Sequence, residues 1–211
     1  MSQPIIAGPA DSDSPSPARL ESFSDGVIAV ILTVMVLDFK LPQRAGPAAF
    51  AATFLPTLAV YLLSFIFTGV YWINHHHLVH RLKRIDGLIM WANLGLLFSL
   101  SLLPFATSYV LSEKFDPFSV AIYASELLLS SISFILLSIA ITRHFNHTGV
   151  TTPATAAVQR AEWRKTLLSI AMYTLAIPLA YWHPFIAAGD LALVTVLWII
   201  PGFLLPDNRT H

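Results

Sequence analysis

The chain has 211 residues, 55% of them hydrophobic and 11% charged, with a mean hydropathy of +0.68, a balance that excludes an ordinary water-soluble globular domain. Twelve basic and twelve acidic residues cancel, so no net field draws nucleic acid, and none is expected as a partner. The absence of cysteine excludes disulfides, thiolate metal sites and cysteine nucleophiles.

Residues 1–17 are rich in Pro, Ser and Asp and carry no Lys or Arg, so they lack the positive n-region of a secretory signal and read as a disordered cytoplasmic tail. Residues 18–206 form the transmembrane unit, and 207–211 a second short cytoplasmic tail. A span needs roughly 20 mainly apolar residues. Six windows meet that need, at about 18–41, 48–73, 85–110, 117–141, 163–181 and 184–205, which predicts an all-α membrane protein with the lipid bilayer as its solvent. Of the twelve basic residues, nine lie on the side of the termini and the even-numbered loops: Arg19, Arg81, Lys83, Arg84, Arg143, Arg160, Arg164, Lys165 and Arg209. Lys40, Arg44 and Lys114 lie opposite, so the positive-inside rule puts both termini in the cytoplasm of a cell whose inner membrane holds the chain. Trp72, Trp163, Tyr181 and Trp182 fall near span ends, where an aromatic belt belongs.

The first span carries the strongest signal. Its uncharged run, Gly26 to Leu37, lies between Asp25 and Asp38. That run is about 18 Å at helical rise, against a hydrocarbon core of about 30 Å. At least one aspartate therefore sits at membrane depth, facing protein or a water-filled cavity rather than lipid. At about 100° per residue, Phe23, Gly26, Val30, Thr33, Val34, Leu37 and Leu41 share one stripe, with Thr33 its lone hydroxyl, and Asp25 points roughly 140° away from Val30. Two plainer explanations stay open: Thr33 bonding back to the carbonyl of Ala29 within an ordinary packing face, and Ser22 with Asp25 forming a capping box.

The string Arg19-Leu-Glu-Ser-Phe23-Ser24-Asp25, followed by GVIAVILTVMVL, resembles the R-x-x-x-F-S-D signature that opens the first helix of the lysosomal potassium channel family, transmembrane protein 175. The likeness extends over the six-helix unit and includes a Trp and His cluster ending the second span and an Asn in the third. It implies a homotetramer in which the first helix of each subunit lines a central pore permeable to potassium ions. By the same resemblance Val30 forms an apolar constriction, Thr33 contributes to cation selectivity, and Val34 and Leu37 continue the apolar lining. Valine is smaller than the isoleucine or leucine expected at that constriction, a departure that bears on closed radius and leak.

The second span ends in Trp72-Ile-Asn-His75-His76-His77-Leu-Val-His80, the densest polar cluster near any span. His76 and His80 have metal-chelating spacing, but no carboxylate accompanies them at helical spacing, so no metal site is expected. The resemblance implies instead that His76 bonds with Ser24 and Asp25 and that Asn93 of the third span joins them. Arg19, one to two turns before Asp25, is a further expected partner for that carboxylate. In the fourth and sixth spans Glu126 and Asp190 are expected to make interhelical hydrogen bonds. Pro56, Pro104, Pro178 and Pro201 allow kinks, and the serines from Ser130 to Ser138, with Gly69 and Gly95, suit close packing in lipid.

These features predict a potassium-permeable, modestly selective cation channel, not an enzyme, with no cofactor. Without a T-V-G-Y-G loop the steep selectivity of carbonyl filters is not expected. A proton-coupled secondary transporter using Asp25, His76 and Glu126 is the alternative, although paired repeats are not evident. H-E-x-x-H, G-x-S-x-G and paired acidic motifs are absent.

Overall fold

Five of the helices begin on a proline, whose fixed φ suits the first helical position and whose missing N–H is no loss there. They are α1 (Pro17–Leu37), α2 (Pro47–Val79), α5 (Pro117–Thr148), α6 (Pro153–Trp182) and α7 (Pro184–Ile199). The computed structural model describes residues 16–37, 39, 46–148 and 153–199. Among them all regular structure is helical, and α3 (Gly87–Ser101) and α4 (Leu103–Ser112) complete the set. The expected terminal tails, apart from Ser16 and Pro17, and the loop residues Asp38, Lys40 and Arg44 lie outside the described residues.

Local chemistry sets the ends. Gly46, at φ 118°, turns the chain into α2 in a backbone conformation that favours glycine. Asp86 caps α3 by accepting a 2.9 Å hydrogen bond from the Ile89 N–H, a bond that holds its carboxyl below the usual range. Asp116 opens α5 in the same way, accepting from the Phe118 and Ser119 N–H groups at 3.0 and 3.2 Å. Pro104 interrupts the third rod just after Leu102, so α3 and α4 are two halves of one membrane-length element. Pro56 and Pro178 lie inside α2 and α6 without ending them. The capping box considered for Ser22 and Asp25 does not form, because α1 starts at Pro17 and both residues lie more than one turn inside it.

Among the described residues four rods are long and apolar enough to cross a bilayer: α1, α2, α3 with α4, and the portion of α5 from Pro117 to Phe145. At about 1.5 Å per residue the 21 residues of α1 extend about 32 Å, close to the hydrocarbon thickness. The segment 142–162 is not the long connection expected from hydropathy. α5 continues to Thr148, and α6 begins at Pro153 and runs unbroken to Trp182. Hydropathy marks where the apolar slab lies. It does not mark where a helix ends, and the Ala-, Gln- and Arg-containing sequence after Pro153 is helix-forming despite its polarity.

α5 packs on α3, α4 and α6, α7 packs on α6, and α1 lies against α2, α3 and α4. Fully buried Ala124, Ala176, Ala180 and Ala187 suit close approach of these helices, as small residues do in lipid. Hydroxyl bridges join them further. Ser64 of α2 meets Thr107 of α4 at 2.9 Å and Tyr123 of α5 at 2.8 Å, Tyr71 meets Ser131 at 2.7 Å, and the Trp198 indole donates to Ser169 at 2.7 Å. Glu126 departs from expectation: its bond is to Ser130 one turn along the same helix, at 2.8 Å, and not to a neighbouring helix.

Candidate functional site

α1 has two faces. Ser24, Ile28, Ile31 and Met35 recur at steps of four, three and four residues and are buried against the rest of the chain. On the far side Phe23, Gly26, Val30, Thr33, Val34 and Leu37 are exposed, with Val30 at 58% and Leu37 at 79%. Leu41, the last residue of the predicted stripe, lies outside the described residues. A helix with one buried apolar face normally shows a polar one opposite. Here the second face is also apolar. An open groove runs along one flank of it, lined by Phe23, Gly26, Val30 and Val34 with Ser101 and Pro104 of the broken third rod.

Thr33 is the stripe's one hydroxyl, and its hydrogen turns inward. Oγ1 donates to the carbonyl of Ala29 at 3.1 Å and that of Val30 at 2.9 Å, which leaves lone pairs free to face outward. The back-bonding considered from sequence is therefore present, and it is compatible with an accepting oxygen on the exposed face. No described stripe residue carries a charge, so the groups this face offers a cation are oxygen dipoles alone.

The polar residues around the F-S-D motif form two separate sets. In the first, Ser24 and Asn93 are fully buried, and so is His75. The His75 Nε2 to Asn93 Oδ1 distance is 2.7 Å, and since Oδ1 can only accept, Nε2 carries the hydrogen. Asn93 Nδ2 then donates to Ser24 Oγ at 2.9 Å, and Ser24 donates to the carbonyl of Leu20 at 2.8 Å. This chain of donors joins α2 to α3 to α1. His75 Nδ1 has no partner, so an additional proton there would be a stranded buried donor.

The second set lies at the α1–α2 contact nearer water. The Trp72 indole donates to Asp25 Oδ1 at 2.8 Å, and His76 Nδ1 pairs with Glu21 Oε1 at 2.7 Å. Asp25 thus faces α2 and not the stripe. The expectation that His76 bonds with Ser24 and Asp25, with Asn93 joining them, is corrected: His75 reaches Ser24 through Asn93, Trp72 holds Asp25, and His76, rotated about 100° from His75, meets Glu21 instead. Arg19 is exposed and makes no ion pair with Asp25 among the described residues; its recorded bonds run from its backbone N–H to Ser16. Phe23 belongs to the exposed stripe and not to the buried network. The three groups invoked for a proton-coupled transporter have separate partners, Asp25 with Trp72, His76 with Glu21, and Glu126 with Ser130.

The chain is similar to known channel proteins. A family described as endosomal/lysosomal potassium channel TMEM175 matches residues 19–104, from the motif arginine to the break in the third rod. A potassium channel of Chryseobacterium sp. (strain P1-3) is 40% identical over 183 residues, 87% of this chain and 92% of that protein. A potassium channel of Streptomyces collinus is 30% identical over 196 residues, 88% of this chain and 91% of that protein. The crystal structure of a lysosomal potassium-selective channel TMEM175 homolog from Chamaesiphon minutus is similar in fold, with a TM-score of 0.70 over 87% of this chain and 96% of that one, at 22% identity.

Proposed function

Since the chain belongs to the TMEM175 potassium channel family, we propose that it conducts potassium through an axis lined by the exposed face of α1 in a homotetramer of the bacterial inner membrane, with both termini cytoplasmic. The observation that carries this reading is the second apolar face of α1. Its opposite face already packs in the subunit, so four such faces can meet around an axis without disturbing the fold. Val30 is the narrowest ring, Val34 and Leu37 extend it, and Thr33 supplies a ring of four oxygens. A narrow apolar ring resists wetting, and dehydration over a hydroxyl ring is easier for potassium than for sodium. With no carbonyl filter, selectivity is modest. Asp25, turned toward Trp72, holds α1 against α2 and does not line the path.

Flux from potassium-loaded liposomes tests this function directly. Val30→Asn replaces an apolar ring by one that water enters, so potassium efflux should rise several-fold over wild type while size-exclusion chromatography still gives the tetramer. An assembled Val30→Asn protein with wild-type efflux removes Val30 from the constriction.

A further inference from the structure

α1 and α2 meet along a ladder. Positions 21 and 25, one turn apart on α1, face positions 76 and 72 on α2, with Glu21 against His76 at 2.7 Å and Asp25 against Trp72 at 2.8 Å. The next turn of that same α2 face brings His80, at the helix C-cap, with its ring stacked on that of His76 at 5.4 Å between centroids and 26° between planes. One ligand atom from each of Glu21, His76 and His80 lies within 4.8 Å of the others. We propose that these three side chains bind a divalent transition metal, Zn²⁺ by ligand type, at the end of the α1–α2 contact.

Two imidazoles and one carboxylate are the donor set that zinc and its neighbours take, whereas magnesium and calcium need oxygen ligands throughout. Tetrahedral zinc with bonds of about 2.0–2.1 Å sets its ligand atoms roughly 3.3 Å apart. Reaching that geometry opens the Glu21–His76 pair slightly and draws His80 inward by small side-chain rotations. Both movements are available, since His76 is 43% exposed and His80 is exposed as well. The Trp72 ring lies 6.3 Å from that of His76 and within 29° of parallel, which backs the imidazole. Three protein ligands leave a fourth position for water. The other histidines of the cluster are directed elsewhere. His75 is buried on Asn93, and His77 lines a separate small cavity with Asn74, Arg81, Phe134 and Trp198. The carboxylate comes from a different helix from the two imidazoles, so sequence spacing along α2 does not reveal it.

Bound metal fastens α1 to α2 one turn beyond the Trp72–Asp25 bond. On the reading that α1 lines the pore, this clamp restrains the lining helix and lowers flux. The test uses tag-free tetramer in detergent and Zn²⁺ alone, titrated by calorimetry, with Co²⁺ as a spectroscopic probe whose visible bands Zn²⁺ displaces. One site per chain is expected. His76→Ala, His80→Ala and Glu21→Gln should each weaken it by about ten- to a hundredfold or more, while Glu21→His, which keeps a ligand there, retains binding and His77→Ala leaves it unchanged. Loss in His77→Ala, or wild-type affinity in the three ligand variants, overturns the site. In liposomes, Zn²⁺ on both faces should reduce potassium flux in wild type and not in His80→Ala. Stoichiometric binding with unaltered flux overturns the clamp alone, and binding by a protein that conducts no potassium overturns the channel reading while the metal site stands.

Discussion

His75→Leu should lower the stability of the assembled protein by about 2 kcal/mol, and His76→Leu by much less, although the two residues are neighbours in sequence. His75 is fully buried and supplies the donor that Asn93 Oδ1 accepts. Removing it leaves the fully buried Asn93 carbonyl oxygen without that bond, a change worth about 1–3 kcal/mol for a buried group and about 0.6–1.7 kcal/mol for one hydrogen bond between membrane helices. His76 is 43% exposed and its partner Glu21 reaches water, so its loss is cushioned by solvent. Thermal melts of the detergent-solubilised protein check the order, and a double-mutant cycle with Asn93→Leu should show strong coupling to His75 and little to His76. If His76→Leu were the more damaging variant, the assignment of the buried network to His75 would be wrong.

Thr33→Val should reduce potassium-over-sodium selectivity with the assembly intact. The swap keeps the branched shape and removes the oxygen, so it tests chemistry rather than packing. The hydroxyl hydrogen is already held by the Ala29 and Val30 carbonyls, so in the proposed tetramer four such oxygens facing the axis would act as acceptors toward a partly dehydrated cation. Under opposed potassium and sodium gradients the reversal potential should move toward zero. Unchanged reversal in a conducting tetramer would leave Thr33 a packing residue.

Much of this arrangement is legible before any coordinates. The 3.6-residue period of α1 separates the buried Ile28, Ile31 and Met35 from the exposed Val30, Val34 and Leu37. Three histidines in a row are harder. They sweep 200° of a helix, and the one that turns inward is decided by the register of the buried face, which runs Val60, Ser64, Phe67, Thr68, His75 and Val79. Carrying that period forward from Val60 selects His75, a signal present in the sequence but weaker than the motif resemblance that pointed to His76. The Glu21–His76 pair was out of reach for a different reason, because it depends on how α1 slides along α2, and spacing within one helix says nothing of that. That α6 runs without a break from Pro153 into the fifth span is not legible from hydropathy, which marks where the apolar slab lies and not how far a helix extends beyond it.

If the exposed face of α1 surrounds the ion path, as proposed, a thiol at position 30 is reachable from water in the conducting channel. The chain has no cysteine, so Val30→Cys introduces a single thiol per subunit. In potassium-loaded liposomes a charged, water-borne methanethiosulfonate reagent should reach that thiol and abolish most of the flux, while the same treatment of Leu193→Cys, on an exposed face of α7, should leave flux unchanged. A Val30→Cys channel that conducts as before, whether its thiol is modified or is shielded by lipid, would place the ion path away from this face of α1.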